Sequence, residues 1–324
     1  MSRNPEVRSA GHVPVMVVEV LDLLDATSGL VVDATVGAGG HAAAILERCP
    51  GCKLLGLDRD EDALAIAAEV LARFGTRASV QKASFEELSD AVASYGPTGA
   101  GPVVGILFDL GVSSMQIDDP RRGFSYARSG PLDMRMDQRQ SLTAAEVVNS
   151  WPEASLEDMF RKNGEGLLAR RLAAAIVAAR PVESTGDLAG VVERAVPGAV
   201  RRRRRGNPSK RVFQAVRREV NGEEAALVAG LAQAVAILER KGRLMALSYH
   251  SGEDRAVKSF FERTARGGCL CPAKLPCVCG AVGTIRILNR GALKAREDEV
   301  LRNPRAASAR LRAAERVDLD GAVQ

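Results

Sequence analysis

Asp33, Asp58 and Asp109 each lie at or near the end of a short apolar run, and a fourth such run ends at His250. Carboxylates and an imidazole so placed could accept hydrogen bonds from sugar hydroxyls, hold a cation or take up a proton. Between the first two aspartates stands Gly37-Ala38-Gly39-Gly40, at the start of an alanine- and leucine-rich segment, and Asp58 follows Gly39 by nineteen residues. Glycines let a ligand approach the backbone at a helix N-terminus, and an acidic residue about 20 positions later can accept hydrogen bonds from both hydroxyls of a ribose. Dinucleotides and S-adenosylmethionine both use that geometry. The loop reads G-x-G-G, not G-x-G-x-x-G, so the dinucleotide fingerprint is met only in part. A dinucleotide-dependent oxidoreductase is therefore one rival reading.

These residues need elements to hold them. Residues 29–35, 53–58, 78–81 and 103–110 read as strands, separated by helical segments at 41–48 and 61–73. Continuous apolar strands between amphipathic helices predict a parallel sheet covered on both faces, a doubly wound α/β domain. In such a sheet ligands lie beyond the carboxyl ends of the strands, which brings Asp33, Asp58, Asp109 and His250 to one edge. The alternation stops at residues 111–137, which show neither period yet carry Phe124, Tyr126, Met134 and Met136. A structureless stretch of that length predicts a functional loop. Helical segments follow at 144–148, 156–161, 167–179 and 187–195. The α/β pattern resumes with a helix over 223–241, a strand over 243–250, a helix over 253–266 and closing strands at 284–288 and 309–317. The expected organisation is residues 1–117 and 223–324 completing one sheet, with 118–222 as an all-helical insertion between strands four and five.

Composition narrows the function classes. Of 324 residues, 46% are apolar, 26% charged and 4% aromatic, enough to bury a core and exclude a wholly disordered chain. The first apolar stretch, residues 13–24, is broken by Glu19 and Asp22, so it does not read as a secretory signal. No later stretch reaches the roughly 20 apolar residues of a bilayer span, and a cytoplasmic protein is expected. Residues 120–220 carry 20 basic and 11 acidic side chains, a net +9 within a total of +5, so the remainder is −4. Five consecutive arginines, Arg201, Arg202, Arg203, Arg204 and Arg205, lie in that segment. Charge concentrated this way suits a polyanion such as RNA or DNA.

Four of the six cysteines, Cys269, Cys271, Cys277 and Cys279, form a C-x-C-x5-C-x-C cluster in a Gly- and Pro-rich stretch. Without an export signal such thiols suggest zinc before disulfides. The C-x-C spacing departs from the usual C-x2–4-C pair. Zinc and reduced loop cysteines both stay open, and no metal ligand set is assigned. Cys49 and Cys52 lie beside the end of a predicted helix.

The stretches His12 to Met16 (HVPVM), Asp33 to His41 (DATVGAGGH), Asp58-Arg59-Asp60, Asp109 to Gln116 (DLGVSSMQ), Arg122 to Asp137 (RGFSYARSGPLDMRMD), Asn207 to Asn221 (NPSKRVFQAVRREVN), Ser248 to Lys258 (SYHSGEDRAVK) and Asn303 to Ala306 (NPRA) resemble the ribosomal RNA small subunit methyltransferase H family. The resemblance covers nearly the whole chain, and the run from Asp109 to Asp137 is the most specific part. It implies a Rossmann-like S-adenosylmethionine-dependent methyltransferase sheet and N4-methylation of a cytidine in the decoding centre of 16S ribosomal RNA. The family's cofactor positions carry over onto Gly39, Gly40, His41, Asp58, Phe85, Asp109 and Gln116. Tyr249 stands where family members often have phenylalanine, and Gly252 where a leucine is common.

Cytosine N4 is a poor nucleophile because its lone pair is delocalised into the ring. The enzyme must orient it and favour the pyramidal amine. Asp109, or a carboxylate of the loop containing Asp133 and Asp137, is expected to hydrogen-bond that amine. His250 is either a base contact or a structural residue, with Ser251 expected to cap the following helix. Reaching N4 requires the base to leave its stack, and Phe124, Tyr126 and Tyr249 are stacking candidates, with packing as the alternative for each. On a helix over 209–220, Val212, Val216 and Val220 should face the core, with Lys210, Gln214, Arg217 and Arg218 outward. These four and the arginine run form the expected phosphate-binding surface. The expected partner is the small ribosomal subunit or its 16S RNA, with a homodimer left open. A non-catalytic RNA-binding or assembly factor is the second rival reading.

Overall fold

In the computed structural model, which describes residues 14–96, 101–203, 207–269, 271–272 and 278–317, seven strands form one sheet. The side chains of Ser114, Arg201 and Arg203 are outside that set, as are His12, Val13, Arg204, Arg205 and Cys277. The strands are β1 (Ser28–Asp33), β2 (Gly51–Asp58), β3 (Ala78–Lys82), β4 (Val103–Asp109), β5 (Leu238–Ser248), β6 (Ile285–Ile287) and β7 (Arg310–Arg316). Their order is β3-β2-β1-β4-β5-β7-β6. The first five are parallel, and β7 runs antiparallel to both its neighbours.

The central strands β1, β2 and β4 are mostly apolar because both faces are covered. Leu30 and Val32 of β1, Ile106 and Phe108 of β4, and Leu244 and Ala246 of β5 enter one core with helices Leu88–Tyr95, Glu223–Ile237 and Ser251–Ala265. Their alternates Val31, Leu107, Met245 and Leu247 enter the other, with helices Val17–Leu24, Gly40–Arg48 and Glu61–Leu71. A period of two along each strand thus serves two layers of helices.

One boundary differs from expectation. The helix that begins at Glu223 stops at Ile237, and β5 starts at Leu238, paired with Val103 of β4. Residues 238–241 have good helix formers, but the ladder with β4 overrides that preference, and Lys241 turns through a left-handed φ of 63°. Cys49 and Cys52 are joined by a disulfide.

The chain divides into two compact units: Met1–Gly111 with Ala225–Gln324, and Val112–Glu224. The second is built from helices Ser114–Asp118, Ala144–Ser150, Glu153–Lys162, Ala169–Ala178, Thr185–Ala195, Gly198–Arg203 and Ser209–Val220. The aperiodic stretch belongs to its core: Phe124, Leu132, Met134 and Met136 are buried among Val148, Phe160 and Val216. Two buried polar side chains fix that stretch. Arg122 donates to the carbonyls of Arg135 and Met136, at 3.2 and 3.1 Å. Asn221 accepts from the Met136 amide and donates to the Met134 carbonyl, both at 2.8 Å. No helix among the described residues is long and apolar enough to cross a membrane.

Candidate functional site

The site starts where β1 ends. After Asp33 the chain stays extended between its neighbours: the Ala34 amide donates to the Leu107 carbonyl and the Val36 amide to the Leu57 carbonyl, each at 2.8 Å. It then turns through Gly37 and Gly39, and Gly39 caps helix Gly40–Arg48 with φ 83°. A side chain at Gly39 would be strained by that φ, and its Cβ would sit 3.4 Å from the Ala67 backbone. The turn is tied to β2 through Asp58, whose Oδ2 accepts from the Gly37 amide at 3.0 Å and whose Oδ1 accepts from the Asp60 amide at 2.9 Å. A carboxylate offers about four acceptor positions. Two serve the backbone, which leaves Asp58 able to accept both hydroxyls of a ribose. Phe85 follows β3, with its ring edge-on to Phe108 and the Arg59 guanidinium 5.3 Å from its centroid.

Asp109, at the end of β4, is held from three sides. Its amide donates to Thr35 Oγ1 at 2.6 Å, and Tyr249 donates its hydroxyl to Oδ1 at 2.8 Å. His41 Nδ1 lies 3.4 Å from Oδ2. His41 Nε2 is bonded to the Val15 carbonyl oxygen at 2.9 Å. A carbonyl only accepts, so Nε2 carries a proton. The bond fixes the imidazole with Nδ1 aimed at Asp109. Burial, and after it the charge of Asp109, pushes the Tyr249 hydroxyl far above its ordinary value, so it acts as a donor.

The carboxylates at this edge are costly to ionise. Asp33 is 1% exposed, and burial raises it to about 7, against the opposing pull of His41 and the Thr35 amide, with Asp109 and Asp58 adding repulsion. Asp58 is also raised, first by burial, against the amides of Asp60 and Gly37. A positive ligand group would relieve this edge. The donor set therefore fits S-adenosylmethionine, which presents ribose hydroxyls, an ammonium and a sulfonium.

His250 is placed otherwise than expected. It, and not Ser251, caps helix Ser251–Ala265, Nδ1 accepting from the amides of Gly252 and Glu253 at 3.2 and 3.3 Å. Its Nε2 lies 2.9 Å from Glu253 Oε1, and Glu253 Oε2 accepts the Tyr249 and His250 amides. The imidazole competes successfully with the serine because the next residues suit a capping box with Glu253. Nδ1 is thus engaged with its own helix, whereas Nε2 is buried beside Glu253 without a hydrogen bond.

The other candidates lie in the helical unit. Gln116 is buried and forms a capping box with Ser113, accepting its amide at 3.1 Å. Asp133 is bonded to Arg135 through both oxygens, and Asp137 likewise to Arg139. Burial works to raise Asp133, but the Arg135 bonds outweigh it and hold the carboxyl below its ordinary range. Phe124, a stacking candidate, is a core residue, and Tyr126 meets Phe213 edge-on, with centroids 6.0 Å apart. Arg217 does not face outward: it is buried and forms a two-pronged ion pair with Glu223 at 2.7 Å. Arg218 is largely covered, bonded to Asn163 and Glu224. The valine stripe leaves Arg217 near its edge, where Glu223 in the next turn of chain captures it. Lys210 and Arg202 are exposed, and Gln214 is half-buried.

Sequence reasoning missed the bond between Tyr249 and Asp109. The signal was present: a tyrosine hydroxyl stands one residue past the end of β5.

A parallel sheet carrying an antiparallel β7 between β5 and β6, with a glycine turn after β1 and carboxylates at the ends of β1, β2 and β4, defines a Rossmann-like methyltransferase. More particularly, the chain belongs to the MraW methylase family, whose model matches residues 9–317. Relatives named ribosomal RNA small subunit methyltransferase H include that of Salinispora arenicola, 49% identical over 97% of this chain and 85% of its own length. That of Carboxydothermus hydrogenoformans is 46% identical over 94% of this chain and 98% of its own. Among solved structures, an rRNA methylase from Streptococcus thermophilus is 12% identical, with a TM-score of 0.41, over 93% of this chain and 94% of that one.

Proposed function

We propose that this chain transfers a methyl group from S-adenosylmethionine to N4 of a cytidine in the decoding centre of 16S ribosomal RNA. The observation that carries the reading is the anionic strand edge, with Asp33, Asp58 and Asp109 gathered about the Gly37–Gly39 turn and the N-terminus of helix Gly40–Arg48. The relatives' names supply the substrate class.

S-adenosylmethionine supplies an electrophilic methyl on a sulfonium. Asp58 holds the ribose hydroxyls with its remaining lone pairs, Phe85 flanks the adenine, and Gly39, Gly40 and His41 complete the contacts from this unit. The strand-end carboxylates favour binding of a cation by relieving their own repulsion. Asp109 accepts a hydrogen bond from the N4 amine as it turns pyramidal and assists the loss of the proton that the methylated amine releases, and Tyr249 and His41 keep its carboxyl aimed. Asp109 is preferred over Asp133 and Asp137 because each of those is committed to an arginine two residues away. Most of the acceleration then comes from orientation and from electrostatics prepared before the substrate arrives.

The helical unit, residues 112–224, is the RNA-recognition part, with Arg201 to Arg205 and Lys210 as phosphate contacts. Acting on the small subunit places the enzyme in the cytoplasm. The test is incubation with methyl-labelled cofactor and small subunits from cells lacking the modification, followed by mapping of the labelled nucleotide. The expected result is one methyl at cytidine N4, lost in Asp109→Asn while cofactor binding persists. Unimpaired turnover by Asp109→Asn removes Asp109 from the chemistry, and label at another atom rejects the substrate.

A further inference from the structure

Between helix Ser251–Ala265 and β6 the chain makes a loop that the sheet does not explain. Its base is pinched by backbone contacts: the Gly268 amide donates to the Arg263 carbonyl at 2.9 Å and the Thr284 amide to the Thr264 carbonyl at 3.3 Å. Gly267 has a φ of 60°, and a Cβ there would come within 2.3 Å of the Val282 carbonyl oxygen, so only glycine allows the two arms to close. Beyond that pinch the described residues of the loop form no apolar core. From residue 266 to residue 284 no described side chain is buried, and Val278 is 89% exposed. A segment that buries so little hydrophobic surface needs another cross-link to hold one conformation.

The structure brings three sulfurs together in its place. The Sγ atoms of Cys269, Cys271 and Cys279 all lie within 4.8 Å of one another, with Cys269 and Cys279 at 3.5 Å. Two thiolates on a tetrahedral zinc, each bond about 2.3 Å, stand about 3.8 Å apart. The observed spread brackets that separation. The Cys271 amide also points at Cys269 Sγ, at 3.4 Å, and an N–H donor stabilises a thiolate and orients a metal ligand. Three soft donors gathered this closely select zinc over oxygen-loving cations.

We propose that Cys269, Cys271 and Cys279 are ligands of a structural zinc ion that fixes this loop. The three bind as thiolates, each releasing its proton to solvent as the metal enters, and they leave one coordination position for a further ligand. The ion takes no part in methyl transfer. It belongs to a different stretch of the chain from the glycine turn and Asp58, so its test is separable from that of the proposed reaction.

The experiment is elemental analysis of the full-length protein, purified without chelator under reducing conditions and dialysed against metal-free buffer. About one zinc per chain is expected, its fourth position taken by the further ligand. Cys269→Ser and Cys279→Ser should each lose the metal while keeping their S-adenosylmethionine affinity, which shows that they are folded. Cobalt added to chelator-stripped protein should give thiolate-to-cobalt charge-transfer absorption, absent in both variants. Limited proteolysis should cut the loop faster once zinc is removed. The proposal is overturned if the wild-type protein holds no zinc after zinc supplementation, if iron is the metal found, or if either variant retains a full equivalent.

Discussion

At the strand ends of the sheet unit, burial drives the carboxyl groups of Asp33 and Asp58 upward, whereas in the helical unit the Arg135 bonds hold Asp133 below its ordinary range. The residue types are the same, and the difference is what surrounds them. Asp133 and Asp137 each close on an arginine two residues away, Arg217 on Glu223, and Asn221 on three backbone groups. Those polar groups are satisfied within their own unit and shape it. Asp33 is opposed by the charges of Asp109 and Asp58, and Asp58 by that of Asp60. Unrelieved charge marks the place prepared for a ligand, and satisfied charge marks architecture.

The contrast has an opposite sign in each unit when pH changes. Asp33 is raised above its unfolded value, so its contribution to stability is full below about 4 and is lost as pH rises through about 7. For Asp33→Asn, urea titrations should show the loss between these limits shrink by on the order of 2–4 kcal/mol. Asp133, being lowered, contributes stability above its unfolded value and loses it as pH falls through its folded value. A variant Asp33→Asn with the wild-type pH profile would erase the distinction.

Next in size is damage to the helical architecture. Asn221→Ala leaves the Met136 amide and the Met134 carbonyl without the side chain that serves them, at about 1–3 kcal/mol. Hydrogen exchange should quicken across residues 122–150, with S-adenosylmethionine affinity unchanged. An equal loss of affinity would show that the two units do not divide the labour as described.

A smaller effect is expected at Tyr249→Phe, which removes one hydrogen bond to Asp109 but keeps the ring. About 1 kcal/mol corresponds to a roughly fivefold fall in kcat, with KM for the RNA little changed. A wild-type kcat would mean that Thr35 and His41 suffice to aim the carboxyl. The weakest effect per residue belongs to the arginine run. Replacing Arg201 to Arg205 with alanine should flatten the salt dependence of RNA binding, each lost phosphate contact lowering the log–log slope by roughly 0.7–0.9. An unchanged slope would make them bystanders.

Much of the sheet unit was legible because strands covered on both faces are uniformly apolar and end at charged residues. The parallel order and the placement of Asp33, Asp58 and Asp109 follow from that pattern alone. The helix end at Ile237 was not legible, since Leu238 to Lys241 suit a helix until β4 offers a ladder. The cap at His250 was masked by a serine that is the more usual choice. In the helical unit the valine stripe from Val212 to Val220 gave the buried face correctly. It could not show that Arg217 turns back to Glu223, because that pairing depends on the chain reversing after Asn221. Phe124 was left open for a related reason: an aperiodic stretch gives no sign that Arg122 and Asn221 will fold it into a core.

The central claim is that the carboxylate edge of the sheet holds a methyl donor, and calorimetric titration of the protein with S-adenosylmethionine and with NAD, repeated for Asp58→Ala, tests it most directly. The expected result is one donor site per chain, no competition from NAD, and binding weakened about 100-fold or more when the two ribose hydrogen bonds are lost. Equal binding of NAD, or an Asp58→Ala protein that binds the donor as tightly as the wild type, would contradict it.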